Sequence, residues 1–529
     1  MFSVVDAMGK LPAGFLEGTV TSFGNVDECT DILVPDDDYD DGFHGKYCLL
    51  YLRPEVPRKV AFIKHTDYLF NLTGTPAEGT VFEHLSQVFT GIYSVGAIRL
   101  GVCVPSNCQN GDIKPLLTQI FKPYKIDADL SEKCLSKHDS RGLTVHQKVS
   151  LALLSVMTLL VAMGSLSDII TNGSNGGLVR KSLHCWSLLR NYDQLVSPSG
   201  KRNRLMAAVH GIRVLTIIWT TINHTYTFGG FYKIQWTYKS LSQVRKVPES
   251  FMFQLVFNAW ALVETFFFLR MIPSVCGIIA VNFLWPLLTT GPILIDDSTD
   301  TYVTNNCHNN WWHNLLLINN WFSPDDICLI NTWYLSADFQ MYVEYHLKYG
   351  YFPTFQHFGP YCMGIFVGYF ILNTPNNYRL PQTQSIISWI VCPLISLSVL
   401  LFTYNWNNGV EPSRLSSILY SSLSRTIWCT GLSWITYVCC IGSGGVVNRL
   451  LSHPVFVPLS RLSFGVYLSH LVIIFIIFFT RKSVTDWTHF DFLTNGMVTI
   501  ILSYVLALVL YFLLEAPFAN FEKILISNI

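Results

Sequence analysis

The sequence predicts an all-α multi-pass transmembrane helical bundle of about nine or ten spans, preceded by an N-terminal extracellular or lumenal domain that contains disulfides. Composition is the first reason: 50% of the 529 residues are hydrophobic and only 13% are charged, whereas a soluble chain carries about a quarter charged residues. The second reason is the recurrence of apolar stretches long enough to cross a hydrocarbon layer of about 30 Å. The third is a group of cysteines in the polar region before the first such stretch.

The charge balance excludes one class of partner. The chain has 35 basic and 35 acidic residues, and no part of it resembles the strongly basic domains that bind nucleic acid. We therefore expect the lipid bilayer, and no nucleic acid, as a partner.

Residues 1–147 are predicted to form one extracellular or lumenal domain. Thiols spread along an exposed polar region are typical of a disulfide framework in an oxidising compartment, and no metal site is expected because the closest pair lacks a matching second pair. Their number is odd, so one partner is missing or free. The sequon at Asn71 makes that side chain a predicted glycosylation site. The cysteines concerned are Cys29, Cys48, Cys103, Cys108 and Cys134.

Two further predictions concern this region: a missing signal peptide at its start and a short helix near its end. Met1-Phe2-Ser3 lacks the basic start and apolar core of a signal peptide. A polar domain of this size needs such a signal to reach the outside, so we expect the true start to lie upstream, where a sixth cysteine could also lie. A short helix is predicted at Gly111–Phe121, after a turn that ends at Cys108.

The first span is predicted at residues 148–170, and a basic linker follows at residues 171–204. The linker carries Arg180, Lys181 and Arg190 with few acidic residues. Because cytosolic segments next to spans are enriched in Lys and Arg, the linker is assigned to the cytosol and the N-terminal domain to the outside. The rest of the chain, residues 205–529, is interpreted as the transmembrane domain. The plasma membrane and the endoplasmic reticulum are both compatible with this arrangement.

The transmembrane domain contains one external loop and one segment too short to be a reliable span. The loop, Gly291–Asn331, holds Cys307 and Cys328, which are predicted to form a disulfide. The short segment, Trp333–Tyr345, carries two acidic residues. Further spans are predicted near Leu205–Phe228, Phe251–Leu269, Ile272–Thr290, Phe358–Leu372, Ile386–Tyr404, Ile418–Ile441, Pro458–Phe479 and Met497–Leu514.

Arg213 and His224 form the most informative pair in the chain. Both lie in the apolar stretch Leu205–Phe228, and their spacing places the two side chains within about 20° of the same helix face and about 16 Å apart along the axis. Ionisable groups inside a span are expensive and are read as functional by default. The simpler interpretation is that each residue lies at one of the two membrane interfaces.

Several segments together resemble the acyltransferase 3 family of membrane proteins, and more narrowly the animal nose resistant to fluoxetine group. The transmembrane part carries HGIR, NHTY, VETFFFL and NTWYLSADFQ, and the resemblance extends over nearly the whole chain. The segments are His210–Arg213, Asn223–Tyr226, Val263–Leu269, Asn331–Gln340, Leu459–His470 and Leu514–Phe518, with Asp6–Gly14, Asp27–Cys29, Gly45–Cys48 and Gly101–Cys108 in the N-terminal domain.

This resemblance implies transfer of an acyl group from a cytosolic donor of the acyl-CoA type, as a co-substrate with no bound cofactor, to a lipid or hydroxylated acceptor. His224 is the expected general base, and Arg213 is expected to position a phosphate of the donor. Glu264 is expected to orient one of these two groups; the alternative is a carboxylate that only packs between helices. The substrate-binding candidates implied in the same way are Arg270, Asp338 and His470.

Two departures from the family pattern bear on activity. The chain passes from Leu269 directly to Arg270, where the family continues with a longer cytosolic stretch and a second arginine motif. After Gln340, the rest of one span and a further complete span are missing. Skipped exons and a degenerate relative both explain these gaps, and the rival function is a lipid or small-molecule carrier that keeps the fold without the chemistry.

Overall fold

The computed structural model describes most of the chain. The described residues are 2–35, 42–54, 97–137, 142–171, 177–197, 207–231, 235–239, 247, 250–257, 272–289, 291–296, 306–322, 326–333, 336, 355–375, 378–408, 410 and 412–527. The strands are β1 Thr21–Ser22, β2 Leu33–Val34, β3 Phe43–Pro54, β4 Ile98–Pro105 and β5 Ile126–Leu130.

Helices make up most of the described structure. They are α1 Phe2–Ala7, α2 Val26–Asp31, α3 Asn110–Phe121, α4 Val145–Ile170, α5 Leu178–His184, α6 Leu188–Val196, α7 Ala207–Tyr226, α8 Gln254–Phe257, α9 Ile272–Leu284, α10 Asn306–Leu315, α11 Phe355–Asn373, α12 Gln382–Leu401, α13 Tyr404–Asn407, α14 Arg414–Cys440, α15 Gly445–Leu451, α16 Phe456–Phe479, α17 His489–Leu510 and α18 Ala516–Ser527.

The described part of the N-terminal region folds around a sheet of five strands, which an all-α interpretation omits. Its order is β1-β4-β3-β2, with β5 also paired to β3. Antiparallel β3 and β4 meet in a register that pairs Tyr47 with Cys103. The centre of β3, Tyr47–Leu52, is buried throughout, and such a continuous apolar run is typical of a strand covered on both faces. The predicted short helix is present as α3.

Two disulfides tie this sheet to its surroundings. Cys29 of α2 is bonded to Cys103 of β4, and Cys48 of β3 is bonded to Cys134 after β5. Cys108 is a half-buried free thiol, so it is the one cysteine of the five that the odd number leaves without a partner in this structure. The four bonded cysteines meet in the core of the domain, whereas Cys108 lies in the turn that follows β4.

A thiol map tests this pairing. Alkylation of the denatured, unreduced protein is expected to modify Cys108 and to leave Cys29, Cys48, Cys103 and Cys134 unmodified, because a disulfide sulfur cannot be alkylated. Peptide mass spectrometry before and after reduction measures the difference. The reduced sample is the control, since all five thiols then react. Protection of Cys108 in the unreduced sample would contradict the assignment.

The rest of the described chain is an integral membrane bundle. Within the described residues, four helices are long and apolar enough to cross a membrane, and a pair bent by 89° makes five if it forms a single span. The predicted span at Phe251–Leu269 and the segment Trp333–Tyr345 lie largely outside the described residues. The helices are Val145–Ile170, Gln382–Asn407, Phe456–Phe479 and His489–Ile524, and the bent pair is Ser422–Cys440 with Gly445–Leu451.

The first span begins three residues earlier than predicted because of its N-cap. The Thr144 hydroxyl accepts a hydrogen bond from the Gln147 backbone N–H, and the Gln147 side chain accepts one from the Thr144 N–H. Such a reciprocal pair satisfies two N–H groups that have no partner inside the helix. Only 11% of the apolar window of α4 is buried inside the protein. Helix α4 therefore exposes an apolar surface along most of its length, as a helix that faces lipid does.

Helix α16 occupies the centre of the bundle, with 78% of its apolar window buried. It packs closely against α17 through small residues. A Cβ atom added at Gly465 would lie 2.9 Å from the Cβ of Ala507, and the Ser469 hydroxyl donates a hydrogen bond to the Ser503 carbonyl at 3.3 Å. Pairs of small residues four positions apart allow two helix backbones to approach in this way.

Helices α7 and α16 run parallel, because they touch at two levels in the same order. His210 contacts Ser460 at 3.0 Å near both helix starts, and His224 contacts His470 further along. The N-terminal domain lies beyond the end of α16, where Lys482 donates a hydrogen bond to Asp27 at 2.6 Å. The bundle therefore has a basic end at the start of α16 and an opposite end covered by the sheet domain.

A buried ion pair fixes the sheet domain on the bundle. The guanidinium of Arg99 in β4 lies 2.8 Å from the carboxylate of Asp296, and the two side chains are 6% and 1% exposed. The same guanidinium lies 4.3 Å above the ring of Trp236. Trp236 is in edge contact with Phe23 of the domain. A charged pair, a cation–π contact and an aromatic contact thus meet at one docking point.

Candidate functional site

The most distinctive polar contact inside the bundle joins His224 of α7 to His470 of α16. Their rings are stacked, with centroids 4.9 Å apart and planes inclined by 16°. His224 Nδ1 lies 2.6 Å from His470 Nε2. His470 is completely buried, and His224 is half-buried. The structure therefore brings together a predicted general base and a predicted substrate-binding residue that lie far apart in the sequence.

The partners of His470 determine the tautomers of both rings. His470 Nδ1 lies 3.2 Å from the Val466 carbonyl oxygen; since a carbonyl can only accept, this nitrogen carries the proton. His470 Nε2 is then an acceptor, and His224 Nδ1 must donate to it. The remaining lone pair of the neutral pair is on His224 Nε2. This assignment follows the hydrogen-bond network, as tautomer assignments in proteins do.

The segment with NTWYLSADFQ is anchored one turn away from His470. The Asn331 side chain donates to the backbone carbonyls of Tyr467 and Leu468 at 2.9 and 3.3 Å, and the Tyr467 hydroxyl donates to the Asn331 carbonyl at 2.8 Å. Asn331 and its neighbour Thr332 are both buried. The beginning of this predicted motif is therefore part of the wall behind the histidine pair.

Helix α7 is also tethered to the segment that leads towards Glu264. The Trp219 indole N–H donates to the Leu255 carbonyl at 3.0 Å, and the Asn223 amide donates to the Val256 carbonyl. These contacts hold α7 against the segment Gln254–Phe257. The predicted site residues Glu264, Arg270 and Asp338, and the predicted glycosylation site Asn71, lie outside the described residues.

Hydroxyl groups give the interior next to the histidines a polar lining. Four buried side-chain oxygens of α7 and α17 have no hydrogen-bond partner within the described part of the chain. Two lie one turn before His224 on α7, and one lies beside Ser469, the neighbour of His470. Buried hydroxyls without partners are costly in an apolar environment. The groups are Thr220, Thr221, Thr499 and Ser503.

Arg213 lies on the same helix as His224, about 16 Å nearer the basic end. It is half-buried, and its side chain makes no hydrogen bond or ion pair with the described residues. Its charge and that of Arg461 both lie within electrostatic range of His210. Two guanidinium groups and an imidazole at one helix end form a positively charged corner suited to an anion.

Arg461 is a functional candidate that the sequence reasoning did not single out. One of its terminal N–H groups donates to the carbonyls of Gln194 and Leu195, at 2.6 Å each. The residue lies in the segment Leu459–His470, whose resemblance to the family was noted. A cation close to the start of an apolar span was therefore the available signal. Its proximity to His210 became visible only when α7 and α16 were packed together.

The arrangement can move a proton and attract an anion at two separate levels. His224 Nε2 can accept a proton, and the developing imidazolium charge can be shared with His470 through their hydrogen bond. Arg213 and Arg461 offer planar donors about 16 Å away. Among the described residues, no group of three or more His, Cys, Asp or Glu side chains is arranged to hold a metal ion.

The comparisons with known proteins agree with the resemblance. Residues 1–117 match the family model of the nose resistant-to-fluoxetine protein N-terminal domain. The chain is 22% identical to nose resistant to fluoxetine protein 6 of Caenorhabditis elegans, in an alignment that covers all of this chain and 78% of the relative. That alignment spans 657 residues, more than this chain contains, so the relative has segments without a counterpart here.

No solved structure matches the chain significantly. Similarity to the C. elegans protein extends through both the sheet domain and the bundle. These matches confirm the narrower of the two sequence-based assignments: residues 1–117 match the N-terminal domain of the nose resistant to fluoxetine proteins, and the whole chain is similar to one protein of that group, whereas membership of the acyltransferase 3 family stays a prediction.

Proposed function

We propose that this protein is a membrane acyltransferase that moves an acyl group from a cytosolic acyl-CoA-type donor to a hydroxyl group of a lipid or other acceptor. The observation that carries the proposal is the contact between His224 and His470. It leaves the Nε2 lone pair of His224 as the basic atom of the pair. A base oriented by a second side chain is an arrangement that many enzymes use for general-base catalysis.

The proposed step can be written with its protons and electrons balanced. His224 Nε2 removes the proton from the acceptor hydroxyl as the oxygen attacks the thioester carbonyl of the donor. The carbon–sulfur bond then breaks, and the imidazolium returns the proton to the departing thiolate. The products are the acylated acceptor and the donor with a free thiol. His470 orients His224 and shares its transient charge, so its role is that of a positioning residue.

Arg213 supplies the second half of the proposal. Its guanidinium, which has no partner among the described residues, would bind a phosphate of the donor, with the Arg461 guanidinium adding positive charge at the same end of the bundle. The donor would then extend along α7 from the basic end towards His224. The distance of about 16 Å between Arg213 and His224 suits an acyl donor whose phosphates and reactive thioester lie at opposite ends of the molecule.

The orientation of the protein forms part of the same proposal. The basic linker and the arginine pair would face the cytosol, and the disulfide-bonded sheet domain would lie in the lumen or outside the cell. About nine or ten spans would connect the two sides. Either the endoplasmic reticulum or the plasma membrane would provide an acceptor within reach of His224.

Turnover of a labelled donor tests the function directly. The full-length protein, purified and reconstituted in lipid nanodiscs, is supplied with radiolabelled oleoyl-CoA and a total lipid extract that contains hydroxylated lipids. We expect release of free thiol together with an equal amount of labelled lipid ester. An empty nanodisc is the control. Intact donor after long incubation, across a panel of acyl chains and acceptors, would contradict the proposal.

A carrier function is the second candidate, because the expected second arginine motif is missing after Leu269. A carrier would move a lipid or small molecule across the bilayer without consuming the donor. The same protein in sealed vesicles distinguishes the two functions. Faster exchange of a labelled lipid between leaflets, without thiol release, would favour the carrier; thiol release without faster exchange would favour the enzyme.

The Arg213 proposal makes a kinetic prediction. In Arg213→Gln, KM for the acyl donor is expected to rise about 10- to 100-fold with little change in kcat, because a charge-assisted hydrogen bond contributes about 1.5–3 kcal/mol to binding. Steady-state kinetics at saturating acceptor measure it. Arg449→Gln, at an exposed arginine of α15, is the matched control. An unchanged KM in Arg213→Gln would remove this residue from the donor site.

A further inference from the structure

Helix α6, Leu188–Val196, carries an exposed apolar stripe that the proposed chemistry does not use. Leu189 and Tyr192 are 52% and 54% exposed, and Leu188 and Val196 are exposed to a similar degree. At 100° per residue these four side chains fall within an arc of about 100°. The polar residues Arg190, Asp193 and Gln194 occupy a different arc. The helix is therefore amphipathic, with part of its apolar face uncovered.

The stripe cannot rotate inward, because both ends of α6 are fixed. At the first end, the Ser187 hydroxyl and the Arg190 guanidinium donate to the buried carboxylate of Asp168 at 2.7 and 2.8 Å. At the other end, Arg461 donates to the last carbonyls of the helix. The Asn520 side chain also donates to the Asn191 side chain at 2.9 Å.

The stripe begins where the lipid-facing surface of the first span ends. The Leu188 backbone N–H donates to the Ser165 hydroxyl of α4 at 2.9 Å. In the last turn of α4, Ile169 and Ile170 are 58% and 72% exposed. A close approach at Gly164, where an added Cβ would lie 2.6 Å from the Leu183 carbonyl, keeps the linker against the span. The uncovered apolar surface thus continues from the span onto α6.

Exposed cations accompany this surface. Arg180 and Lys181 of α5 are exposed, and neither side chain makes a hydrogen bond or ion pair with described residues. Asp193 is exposed as well, on the polar arc of α6. Helices with an uncovered apolar face and neighbouring Lys or Arg lie in the plane of the membrane interface, where they bury the apolar face and attract anionic headgroups.

We propose that α6 lies in the headgroup region of the cytosolic leaflet, with its apolar stripe among the upper acyl chains and with Arg180 and Lys181 against anionic phospholipid headgroups. The choice of the cytosolic leaflet rests on the orientation proposed above, whereas the contact of α6 with lipid does not depend on the acyl-transfer chemistry. Its occupant is the bilayer itself, since the stripe is continuous with a helix that faces lipid.

Photocrosslinking in the full-length protein tests the proposal. Benzoylphenylalanine replaces Leu189 in one variant and Asp193, on the polar arc, in a matched variant. After irradiation in nanodiscs, mass spectrometry is expected to find at least about fivefold more phospholipid adduct at position 189. Equal adduct at both positions, or capture of a co-purified protein in place of lipid at position 189, would overturn the proposal.

A change in the lipid composition of the bilayer tests the proposed contact of Arg180 and Lys181 with anionic headgroups separately. Nanodiscs with about 30% phosphatidylserine should give more adduct at position 189 than nanodiscs of phosphatidylcholine alone, and most of that adduct should be phosphatidylserine. The combined variant Arg180→Gln and Lys181→Gln should remove this preference while keeping the phosphatidylcholine adduct. If neither the lipid composition nor the double substitution alters the amount or the identity of the adduct, the proposed role of Arg180 and Lys181 is wrong.

Discussion

Replacing His224 with alanine is expected to lower kcat for acyl transfer by about 10²- to 10⁴-fold, the range that a positioned general base contributes. The acceptor hydroxyl would keep its place but lose the atom that removes its proton. KM for the donor should change little, since Arg213 and Arg461 lie at the other level of the bundle. Single-turnover measurement of labelled ester in nanodiscs gives the rate of the chemical step.

Two further variants separate loss of chemistry from loss of fold. His453→Ala, at an exposed histidine near the start of α16, should behave as the wild type. His470→Gln should retain more activity than His470→Ala, because the glutamine amide can still accept from His224 Nδ1 and donate to the Val466 carbonyl. Equal turnover in His224→Ala and the wild type would refute the proposed base.

Replacing Asp296 with alanine is expected to destabilise the docked sheet domain by about 3–5 kcal/mol, because it leaves the Arg99 charge buried without its partner. The two side chains are almost fully enclosed, so water cannot replace the lost interaction. Thermal unfolding in detergent, followed by tryptophan fluorescence that includes Trp236 at the docking point, should show a Tm lower by about 5–10 °C.

Two control variants test whether the loss of stability in Asp296→Ala comes from the buried charge of Arg99. Asp127→Ala breaks an ion pair with Arg53 whose carboxylate is 71% exposed, and exposed pairs contribute only about 0–1 kcal/mol. The double variant Arg99→Met with Asp296→Leu should recover much of the lost stability, since a well-packed apolar pair avoids the cost of burying charges. If Asp296→Ala unfolds at the wild-type temperature, the ion pair does not hold the domain.

Some features of the fold follow from local sequence, and others depend on contacts between distant residues. The span of α4 follows from apolar length, and its first residue is set by the reciprocal cap of Thr144 and Gln147. The sheet was not predicted because the apolar run in β3 has no clear alternation between its two faces. Its pairing with β4 also joins residues separated by a long segment.

The candidate site likewise has one part that the local sequence predicts and one part that depends on contacts between distant residues. Helical periodicity alone predicts that Arg213 and His224 share one face, because both lie on one helix. The hydrogen bond between His224 and His470 joins positions 246 residues apart, so only tertiary packing could place them together. Glu264, Arg270 and Asp338 lie outside the described residues, and their expected roles stay predictions.

The connection between α16 and α17 gives the sheet domain a second attachment to the bundle. Lys482 and Thr485 lie in that connection; the first binds Asp27 of the domain, and the second pairs with Tyr238 near the docking point. The sheet domain is therefore attached to the bundle both at the Arg99–Asp296 pair and at the connection that follows the helix of His470. A chain trimmed to its spans would lack this clamp, and its behaviour could not stand for that of the whole protein.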